Sequence, residues 1–533
     1  MKTTVQQASY DVLRKNDMTV IFGNPGSNEL PFLKDFPNDF NYVLGLQEAV
    51  VLGMADGYAQ ASGKPTLVNL HSAAGTGNAM GALANAWNSH SPLVVTAGQQ
   101  HRAMLAVEPY LTNIDATQLP RPLVKWSYEP STPQEVPYTL SRAIHTAMSD
   151  ARGPVYVSVP YDDWAKEAEH QSIALNNRKV VSRRALDSMS VKEIAHIISA
   201  AGNPVLVFGS DVDADNANLE AVKLAERLKC PVWAAPSTPR CPFPNRHPSF
   251  KGILPSGIAS IADRLARHDL IIVIGAPVFR YHQYEAGDYL PEGANLIHIT
   301  CDANEAARAP AGDAYIADIK PTLCQLLDAV DVRGGDFPDF RSVLASAPQT
   351  SPMHPETVFE TLNSVAPDNA VFVNESTSTT ASMWERINFK NQGSYYYAAA
   401  GGLGFAMPAG VGIQMACPDR QVFVVIGDGS SNYSIQTLWT AAQYNIPVIF
   451  IVMKNGTYGA LRWFASVLEI GDIPAFDVPN IDFAKIAEGY GVQAFSVKTS
   501  DELRNAITRG ITMGKPVLIE VETWGALQDL QQA

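Results

Sequence analysis

Short apolar runs alternate along the chain with longer segments of helical spacing, and this alternation constrains the fold more than any other feature. In the first third, the runs TVIFGNPG, NYVLGL, KPTLVNLHS, PLVVTAG and GPVYVSVP are separated by helical segments such as LGMADGYAQASG and TGNAMGALANAWNS. Near-continuous apolar strands between helices are typical of parallel sheets that are covered on both faces. The sequence therefore predicts an α/β fold of doubly wound parallel sheets.

The pattern restarts twice, each time after a polar stretch, at residues 166–185 and 332–355. The middle third contains the apolar runs NPVLVFGS, CPVWAAP, HDLIIVIGAPVF and ANLIHITCD, and the last third contains NAVFVNES, RQVFVVIGDGS, IPVIFIVMKNGT and KPVLIEVET. At about 150 residues per domain, a chain of 533 residues has room for three or four domains. We predict three α/β domains, at residues 1–170, 187–330 and 355–533.

Composition excludes several classes of function. The formal net charge of −14 argues against a sequence-independent nucleic-acid binder, because such proteins need a basic surface. The chain has no run of 18 apolar residues and no apolar core near its N-terminus, so neither a membrane span nor a secretory signal is expected. The five cysteines are widely spaced and form no CxxC pair, which predicts reduced thiols. We expect a cytoplasmic protein without membrane or nucleic-acid partners.

Two polar residues follow apolar strands of the last third at the spacing of one strand–helix–strand crossover. Asp428 lies in Gly427-Asp428-Gly429-Ser430, and Asn455 lies in Lys454-Asn455-Gly456-Thr457. Such a crossover brings both residues to the same edge of two parallel strands. A carboxylate and an amide oxygen suit Mg²⁺, and the glycines allow a diphosphate to approach the backbone. Each residue alone would be an ordinary turn residue, but together they predict a metal–diphosphate site.

The pattern GDGS…KNGT resembles the metal and diphosphate motif of thiamine-diphosphate enzymes. The segments FGNPGSNELPFLKDFP, LQEAV, APVFRYHQY, NESTSTTASMW, AAGGLGFAMP and NGTYGALRWF resemble the benzoylformate decarboxylases, a family of thiamine-diphosphate-dependent 2-oxo acid decarboxylases, and the resemblance covers essentially the whole chain. It implies a pyrimidine-binding first domain, a Rossmann-like middle domain and a diphosphate-binding last domain. The cofactors implied are thiamine diphosphate and Mg²⁺, with Ca²⁺ as an alternative ion.

The resemblance also implies roles for individual residues. Glu48 would bind the aminopyrimidine ring, Ser27 the substrate carboxylate, and His71 and His282 would move protons. Leu403 would press beneath the cofactor, and the carbonyl of Gly401 would face its exocyclic amine. The remaining implied residues contact the diphosphate (Thr377, Ser378, Gly427, Gly429, Ser430, Tyr458), bind the metal (Asp428, Asn455, Thr457) or wall the substrate pocket (Tyr110, Tyr397, Leu461, Phe464).

Several of these residues have ordinary structural interpretations as well. Glu48 is an acid in the first turn of a predicted helix, where the helix dipole favours it. Ser27 follows Asn24-Pro25-Gly26 and is a possible helix cap. His71 ends a predicted strand, and His282 lies in a polar, aromatic loop typical of a surface. Leu403 would ordinarily belong to a core.

Two tyrosines depart from the family pattern. Tyr110 and Tyr397 stand where leucine and phenylalanine are expected in this family, and both lie in segments expected near the substrate. Two additional hydroxyls would favour a ring-substituted or more polar 2-oxo acid. The departure concerns the choice of substrate and leaves the reaction type unchanged.

The resemblance implies non-oxidative decarboxylation of an aromatic 2-oxo acid, benzoylformate to benzaldehyde and CO2, through an ylide and an enamine. It also implies a place in aromatic catabolism, in the mandelate pathway, and a homotetramer (a dimer of dimers) with active sites at subunit interfaces. The alternatives are another thiamine-diphosphate enzyme and a non-catalytic binding subunit. A pyruvate-type decarboxylase usually has two adjacent histidines where this chain has His71-Ser72. An acetohydroxyacid synthase would need flavin contacts, and an oxalyl-CoA type an adenine site.

Overall fold

The protein, described here from a computed structural model, contains three parallel sheets, as the sequence predicts. The structure describes residues 2–149, 151–169, 178–282, 284–340, 344–471 and 473–524. The strands, in chain order, are β1 Val20–Gly23, β2 Asn41–Leu44, β3 Thr66–Leu70, β4 Leu93–Gln99, β5 Ser127–Tyr128, β6 Val155–Pro160, β7 Pro204–Phe208, β8 Val232–Ala234, β9 Phe250–Ile253, β10 Leu270–Ile274, β11 Asn295–Thr300, β12 Asp313–Ile316, β13 Val371–Glu375, β14 Tyr395–Tyr397, β15 Val422–Gly427, β16 Ile449–Lys454, β17 Gln493–Val497 and β18 Val517–Glu522.

Helices follow most of these strands, as expected of parallel connections. The α-helices are Val5–Lys15, Leu30–Leu33, Glu48–Ser62, Ser72–Asn88, Val136–Met148, Ser188–Ala200, Ser210–Ala214, Asn218–Leu228, Ile258–Leu265, Ala303–Arg308, Ile319–Ala329, Pro355–Val365, Thr380–Arg386, Ala406–Ala416, Asp428–Ser431, Thr437–Gln443, Gly459–Val467, Phe483–Gly489 and Ser500–Met513. Short 3₁₀ helices cover Ser27–Glu29, Arg102–Val107, Pro133–Glu135 and Thr377–Thr379. Among the described residues, no helix is both long enough and apolar enough to cross a membrane.

The strand orders bring the ends of particular strands together. The first sheet has the order β2-β1-β3-β4-β6-β5, and the second has the order β12-β11-β10-β7-β8-β9. In the third sheet, β13-β15-β16-β18-β17 lie side by side. These neighbouring strands are parallel, so the residues that follow β1, β2 and β3 share one sheet edge, and those that follow β13, β15 and β16 share another. Ligands of such sheets bind beyond the carboxyl ends of the strands.

The chain divides into two compact units. One contains residues 1–181, 347–386 and 398–533, and the other contains residues 182–346 and 387–397. The first and third sheets thus belong to one compact unit, whereas the sequence prediction treats them as separate domains. The predicted boundaries at 170, 187, 330 and 355 stay predictions, and residues 170–177 lie outside the described part of the chain.

Two helices of the first unit meet along a seam of glycines. Helix Glu48–Ser62 packs on helix Ala406–Ala416, and a Cβ atom built at Gly412 would lie 1.9 Å from the carbonyl oxygen of Met54. A Cβ at Gly57 would lie 2.3 Å from the carbonyl oxygen of Ala409. Backbones approach this closely only where the residue that faces the carbonyl has no Cβ, as at Gly412 and Gly57. Since Glu48 starts one helix and Leu403 precedes the other, the seam fixes the positions of these two residues relative to each other within the chain.

Candidate active site

Three strands of the first sheet end at the same edge and supply the first group of polar side chains. Glu48 lies shortly after β2, Asn24 directly after β1, and His71 directly after β3. Strands β2, β1 and β3 are adjacent and parallel, so these side chains lie close together. The structure thus brings three of the predicted catalytic residues, Glu48, His71 and Ser27, to one edge of the sheet.

Glu48 is buried and is held by two amides. Its Oε1 atom accepts a hydrogen bond from Asn24 Nδ2 at 3.2 Å, and its Oε2 atom accepts one from Asn78 Nδ2 at 3.0 Å. The preceding residue, Gln47, caps the helix with its own side chain, which accepts from the backbone N–H of Ala49 at 2.6 Å. Glu48 therefore does not act as the cap. Gly75 leaves room for the carboxylate, because a Cβ there would lie 3.3 Å from Glu48 Cγ.

His71 contacts a second buried acid, Glu29, which the sequence analysis did not single out. Nδ1 of His71 lies 2.9 Å from Oε2 of Glu29, and the Glu29 side chain is 1% exposed. The carboxylate also accepts the backbone N–H of Gly26 and that of Gly98, both at 2.8 Å. Because the Glu29 oxygens act as acceptors in these contacts, the contact with His71 places the proton of the neutral ring on Nδ1 and leaves the lone pair on Nε2.

Ser27 occupies the first position of the 3₁₀ helix Ser27–Glu29, and Gly26 is the N-cap of that helix. The alternative that Ser27 caps a helix is therefore wrong. Ser27 is exposed, and its hydroxyl donates to Asn28 Oδ1 at 3.3 Å. Gly26 lies against the imidazole of His71, where an added Cβ would come within 2.2 Å of Nδ1. The glycine thus allows the loop that carries Ser27 to pack against His71.

The third sheet supplies the second group, at the ends of β15 and β16. Asp428 is buried, and its Oδ2 atom accepts the backbone N–H groups of Asn455 at 3.0 Å and Gly456 at 2.6 Å. Its Oδ1 atom accepts the N–H of Gly429 at 2.8 Å. Burial raises the pKa of Asp428, and these three hydrogen bonds act in the opposite direction. The structure thus places Asp428 and Asn455 side by side, as the crossover spacing predicts.

The remaining predicted metal ligand, Thr457, lies in the same loop. Its hydroxyl donates to the carbonyl of Phe476 at 3.0 Å and accepts from Arg462 Nε at 2.7 Å. Its backbone N–H donates to Asn455 Oδ1 at 3.1 Å. The main-chain carbonyl of Thr457 accepts the backbone N–H of Gly459 at 3.0 Å, and its role in metal binding stays a prediction.

The predicted diphosphate contacts surround this loop. Thr377 and Ser378 follow β13 in a 3₁₀ helix and are half-buried. Ser378 lies beside Gly459, where an added Cβ would meet the Ser378 hydroxyl oxygen at 3.2 Å. The ring of Tyr458 covers Gly429, where a Cβ would lie 2.4 Å from the ring. The other members, Gly427 and Ser430, flank Asp428 in β15 and in the short helix that follows it.

The predicted substrate-pocket residues lie in different elements. Leu461 is exposed and Phe464 half-buried on helix Gly459–Val467, and Tyr110 exposes 88% of its surface. His282 and Tyr397 belong to the second compact unit. The backbone N–H of His282 donates to the carbonyl of Ser256 at 3.1 Å, and that of Tyr397 donates to the carbonyl of Pro239 at 2.9 Å. Their roles in the reaction stay predictions.

Gly401 and Leu403 lie in the irregular segment between β14 and helix Ala406–Ala416. Gly401 is exposed and has a φ of 71°, a conformation that favours glycine. Leu403 is half-buried rather than fully enclosed, so it is not an ordinary core residue. Two side chains that the sequence analysis did not single out, Asn85 and Glu375, contact the backbone of this segment.

Comparisons with known proteins place this chain among related sequences. Residues 3–119 match the family "Thiamine pyrophosphate enzyme, N-terminal TPP binding domain", residues 191–326 the corresponding central domain, and residues 376–521 the corresponding C-terminal TPP binding domain. The benzoylformate decarboxylase of Pseudomonas aeruginosa is 56% identical over 98% of this chain and 99% of its own length.

Two solved structures resemble the whole chain. The thiamine diphosphate-dependent 4-hydroxybenzoylformate decarboxylase of Rhodococcus jostii RHA1 has a TM-score of 0.97 at 53% identity, covering 98% of this chain and 100% of the other. The benzoylformate decarboxylase of Polynucleobacter necessarius has a TM-score of 0.96 at 41% identity, covering 99% of this chain and 100% of the other. The similarity therefore extends over all three sheets.

Proposed function

The chain belongs to the thiamine pyrophosphate enzymes, in the family of the benzoylformate decarboxylases, and from this premise we propose that it decarboxylates aromatic 2-oxo acids, benzoylformate first among them. The reaction consumes one proton and releases CO2 and the aldehyde. Within the molecule, the observation that carries the proposal is the buried acid Glu48 at the same sheet edge as His71.

The residues around Asp428 fit a divalent cation and a diphosphate. Burial raises the pKa of Asp428, and a bound cation would stabilise the ionised carboxylate. The carboxylate, the amide oxygen of Asn455 and the carbonyl of Thr457 form a set of hard oxygen ligands. We assign them to Mg²⁺, with Ca²⁺ as an alternative. The diphosphate would lie against the surrounding residues Thr377, Ser378, Gly427, Gly429, Ser430 and Tyr458.

Thiamine diphosphate, when bound, supplies the electron sink that accepts the electron pair left by the departing CO2. Glu48 would bind the pyrimidine ring with a carboxylate that Asn24 and Asn78 hold in one orientation. Leu403 would support the ring system, and the carbonyl of Gly401 would accept a hydrogen bond from the exocyclic amine. The protein thus orients the cofactor with groups that are fixed before it arrives.

Proton movement falls to the histidines. Glu29 fixes the proton of His71 on Nδ1, so Nε2 is the atom that exchanges protons with the substrate. Ser27, exposed at the start of its 3₁₀ helix, would bind the substrate carboxylate. His282 would supply the second proton transfer. Since imidazole is accessible in both protonation states near neutral pH, two histidines suit opposite transfers in one cycle.

A ring-hydroxylated substrate is the second candidate. Tyr110 exposes most of its side chain, and its hydroxyl is therefore available to a polar substituent. One similar structure is that of an enzyme named for 4-hydroxybenzoylformate. Together with Tyr397, Tyr110 would favour such a substrate over one with an unsubstituted ring.

The assembly that we propose is a homotetramer, a dimer of dimers in a cytoplasmic enzyme. Apolar side chains on and after helix Gly459–Val467 are exposed in the single chain: Leu461 at 45%, Val467 at 45%, Leu468 at 61% and Ile470 at 51%. A second copy of the chain that covers these side chains would bury this apolar surface and supply groups to the substrate pocket that Leu461 is predicted to line. An enzyme that is fully active as a monomer in light scattering would contradict the assembly.

The deciding experiment measures turnover of the purified protein, with thiamine diphosphate and Mg²⁺, on benzoylformate, 4-hydroxybenzoylformate and pyruvate, each coupled to aldehyde reduction. We expect the two aromatic acids to be turned over much faster than pyruvate. Pyruvate as the best substrate, or acetolactate as its product, would instead favour another member of the superfamily. Absence of turnover with all three, despite bound cofactor, would favour the non-catalytic subunit. Replacing Tyr110 by Phe tests the second candidate, because it should selectively impair the hydroxylated acid.

A further inference from the structure

The backbone conformation of residues 398–405 is not fixed by regular secondary structure. It contains neither helix nor strand, and Gly401 and Gly404 have φ angles of 71° and 95°. Three of its residues are glycines, which lose more conformational freedom on ordering than any other residue. A single conformation of this segment therefore depends on contacts from elsewhere in the fold.

Glu375 provides one such contact from the end of β13. It is fully buried, and its Oε1 atom accepts the backbone N–H of Gly404 at 2.7 Å while its Oε2 atom accepts that of Ala406 at 2.6 Å. Ala406 is the first residue of the helix Ala406–Ala416, and Gly404 directly precedes its N-cap, Phe405, which makes no side-chain cap bond. A carboxylate at this position satisfies donors that the helix cannot satisfy itself and is favoured by the helix dipole.

Asn85 provides the second contact from the helix Ser72–Asn88. Its Oδ1 atom accepts the N–H groups of Ala400 at 3.1 Å and Gly402 at 3.3 Å, and its Nδ2 atom donates to the carbonyl of Gly402 at 2.9 Å. The side chain is 2% exposed. One amide thus binds the backbone on both sides of Gly401.

We propose that Asn85 and Glu375 are positioning residues that fix the backbone of residues 400–406, so that Leu403 and the Gly401 carbonyl are in place before thiamine diphosphate binds. The inference rests on the proposed function for the roles of Leu403 and Gly401. The alternative is a purely structural role, in which the contacts stabilise the fold without affecting cofactor binding.

The first test uses the cofactor-free protein at pH 8, where the Glu375 carboxylate is ionised. Amide hydrogen exchange is followed in a peptide that covers residues 400–406, with β16 as an internal reference for global opening. Asn85→Asp removes the donor to Gly402, and Glu375→Gln replaces one acceptor by a donor. Each variant should speed exchange in the segment about tenfold or more relative to β16. Asn88→Asp is the matched control, since the Asn88 amide donates to Ala84 within its own helix, at 3.0 Å.

The second test measures binding of thiamine diphosphate with Mg²⁺ by calorimetry, together with turnover at saturating cofactor. Each variant should weaken cofactor binding about tenfold or more, while turnover at saturation falls much less. Unchanged exchange in the segment would overturn the proposal, as would faster exchange with unchanged cofactor affinity. If Glu375→Gln does not fold, Asn85→Asp decides the question alone. Hydrogen exchange and cofactor binding do not depend on which 2-oxo acid is turned over. If benzoylformate proves not to be the substrate, these two measurements still test the roles of Asn85 and Glu375.

Discussion

Nδ1 of His71 lies 2.9 Å from Oε2 of Glu29, an acid that is almost completely enclosed and that also accepts two backbone N–H groups. The histidine follows the end of one strand, and Glu29 closes the 3₁₀ helix that follows the end of the adjacent strand. This pairing fixes which nitrogen of His71 is available for proton transfer.

Replacing Glu29 by Gln should lower turnover about 10–100-fold with little change in KM. The amide would present a donor to Nδ1 and so move the histidine proton to Nε2. Nitrogen NMR of the His71 ring would report the changed tautomer directly. The control is Glu135→Gln, since the Glu135 carboxylate accepts from Ser131 N–H, at 2.9 Å, away from His71. Turnover equal to that of the wild type, with the tautomer changed, would contradict the role assigned to His71.

Replacing Glu48 by Gln should lower turnover about 10²–10⁴-fold, because the ring of the cofactor loses the carboxyl group that binds it. One of the two amides that bind Glu48 would still donate to the Gln oxygen, and the other can turn its own oxygen towards the new NH2 group, so the fold should persist. Thermal unfolding would show whether the variant keeps its fold. Release of thiamine diphosphate on acid precipitation would measure how much cofactor remains bound. A fully active Glu48→Gln enzyme would remove the basis of the proposed function.

The titration of Glu375 should contribute to the pH dependence of the free energy of unfolding. Burial raises the pKa of this carboxyl to about 7, above its ordinary value of 4.5. Between those two values the folded state holds a proton that the unfolded state has released, so this group's contribution to stability falls as pH rises through the interval. Urea unfolding at pH 5.5 and 8 should show a steeper loss for the wild type than for Glu375→Gln. Parallel pH profiles for the two proteins would contradict the raised pKa.

The glycine seam should tolerate no side chain. Gly412→Ala would push a methyl group against the Met54 carbonyl, and the resulting separation of the helices should cost about 1–3 kcal/mol of the free energy of unfolding. Gly489→Ala is the matched helical control, because nothing lies within 4 Å of its added Cβ. The control should be neutral or stabilising by up to about 1 kcal/mol. Equal stability of both variants in urea unfolding would contradict the prediction, because it would mean that the two helices accommodate the added methyl group without loss of stability.

Much of the fold could be predicted because its central strands are apolar along their whole length. Strands β3, β4, β10 and β15 are buried on both faces, and each appears in the sequence as an apolar run. The strands β5, β9, β12 and β17 are not predicted by the sequence, and they lie at sheet edges. Edge strands such as β12 and β17 expose several residues, so their sequences lack that continuous apolar character.

The candidate site could be predicted only where its residues follow strands. Asp428 and Asn455 stand directly after β15 and β16, and parallel pairing places them together. Asn85 lies inside a helix and meets residues more than 300 positions away, and no local pattern encodes that contact. Glu375 could have been noticed, because it ends an apolar strand just as Asp428 follows one. Glu29 gave no comparable signal.

Asn85 and Glu375 bind the 400–406 segment only through main-chain atoms in the hydrogen bonds described above. These bonds therefore do not depend on which side chain stands at position 403. The residue beneath the cofactor can thus be exchanged while the supporting bonds persist, provided that the glycines at 402 and 404 are retained. The groups that hold the backbone are therefore separate from the side chain that meets the cofactor, and a small library at position 403 would vary the support of the cofactor without altering those groups.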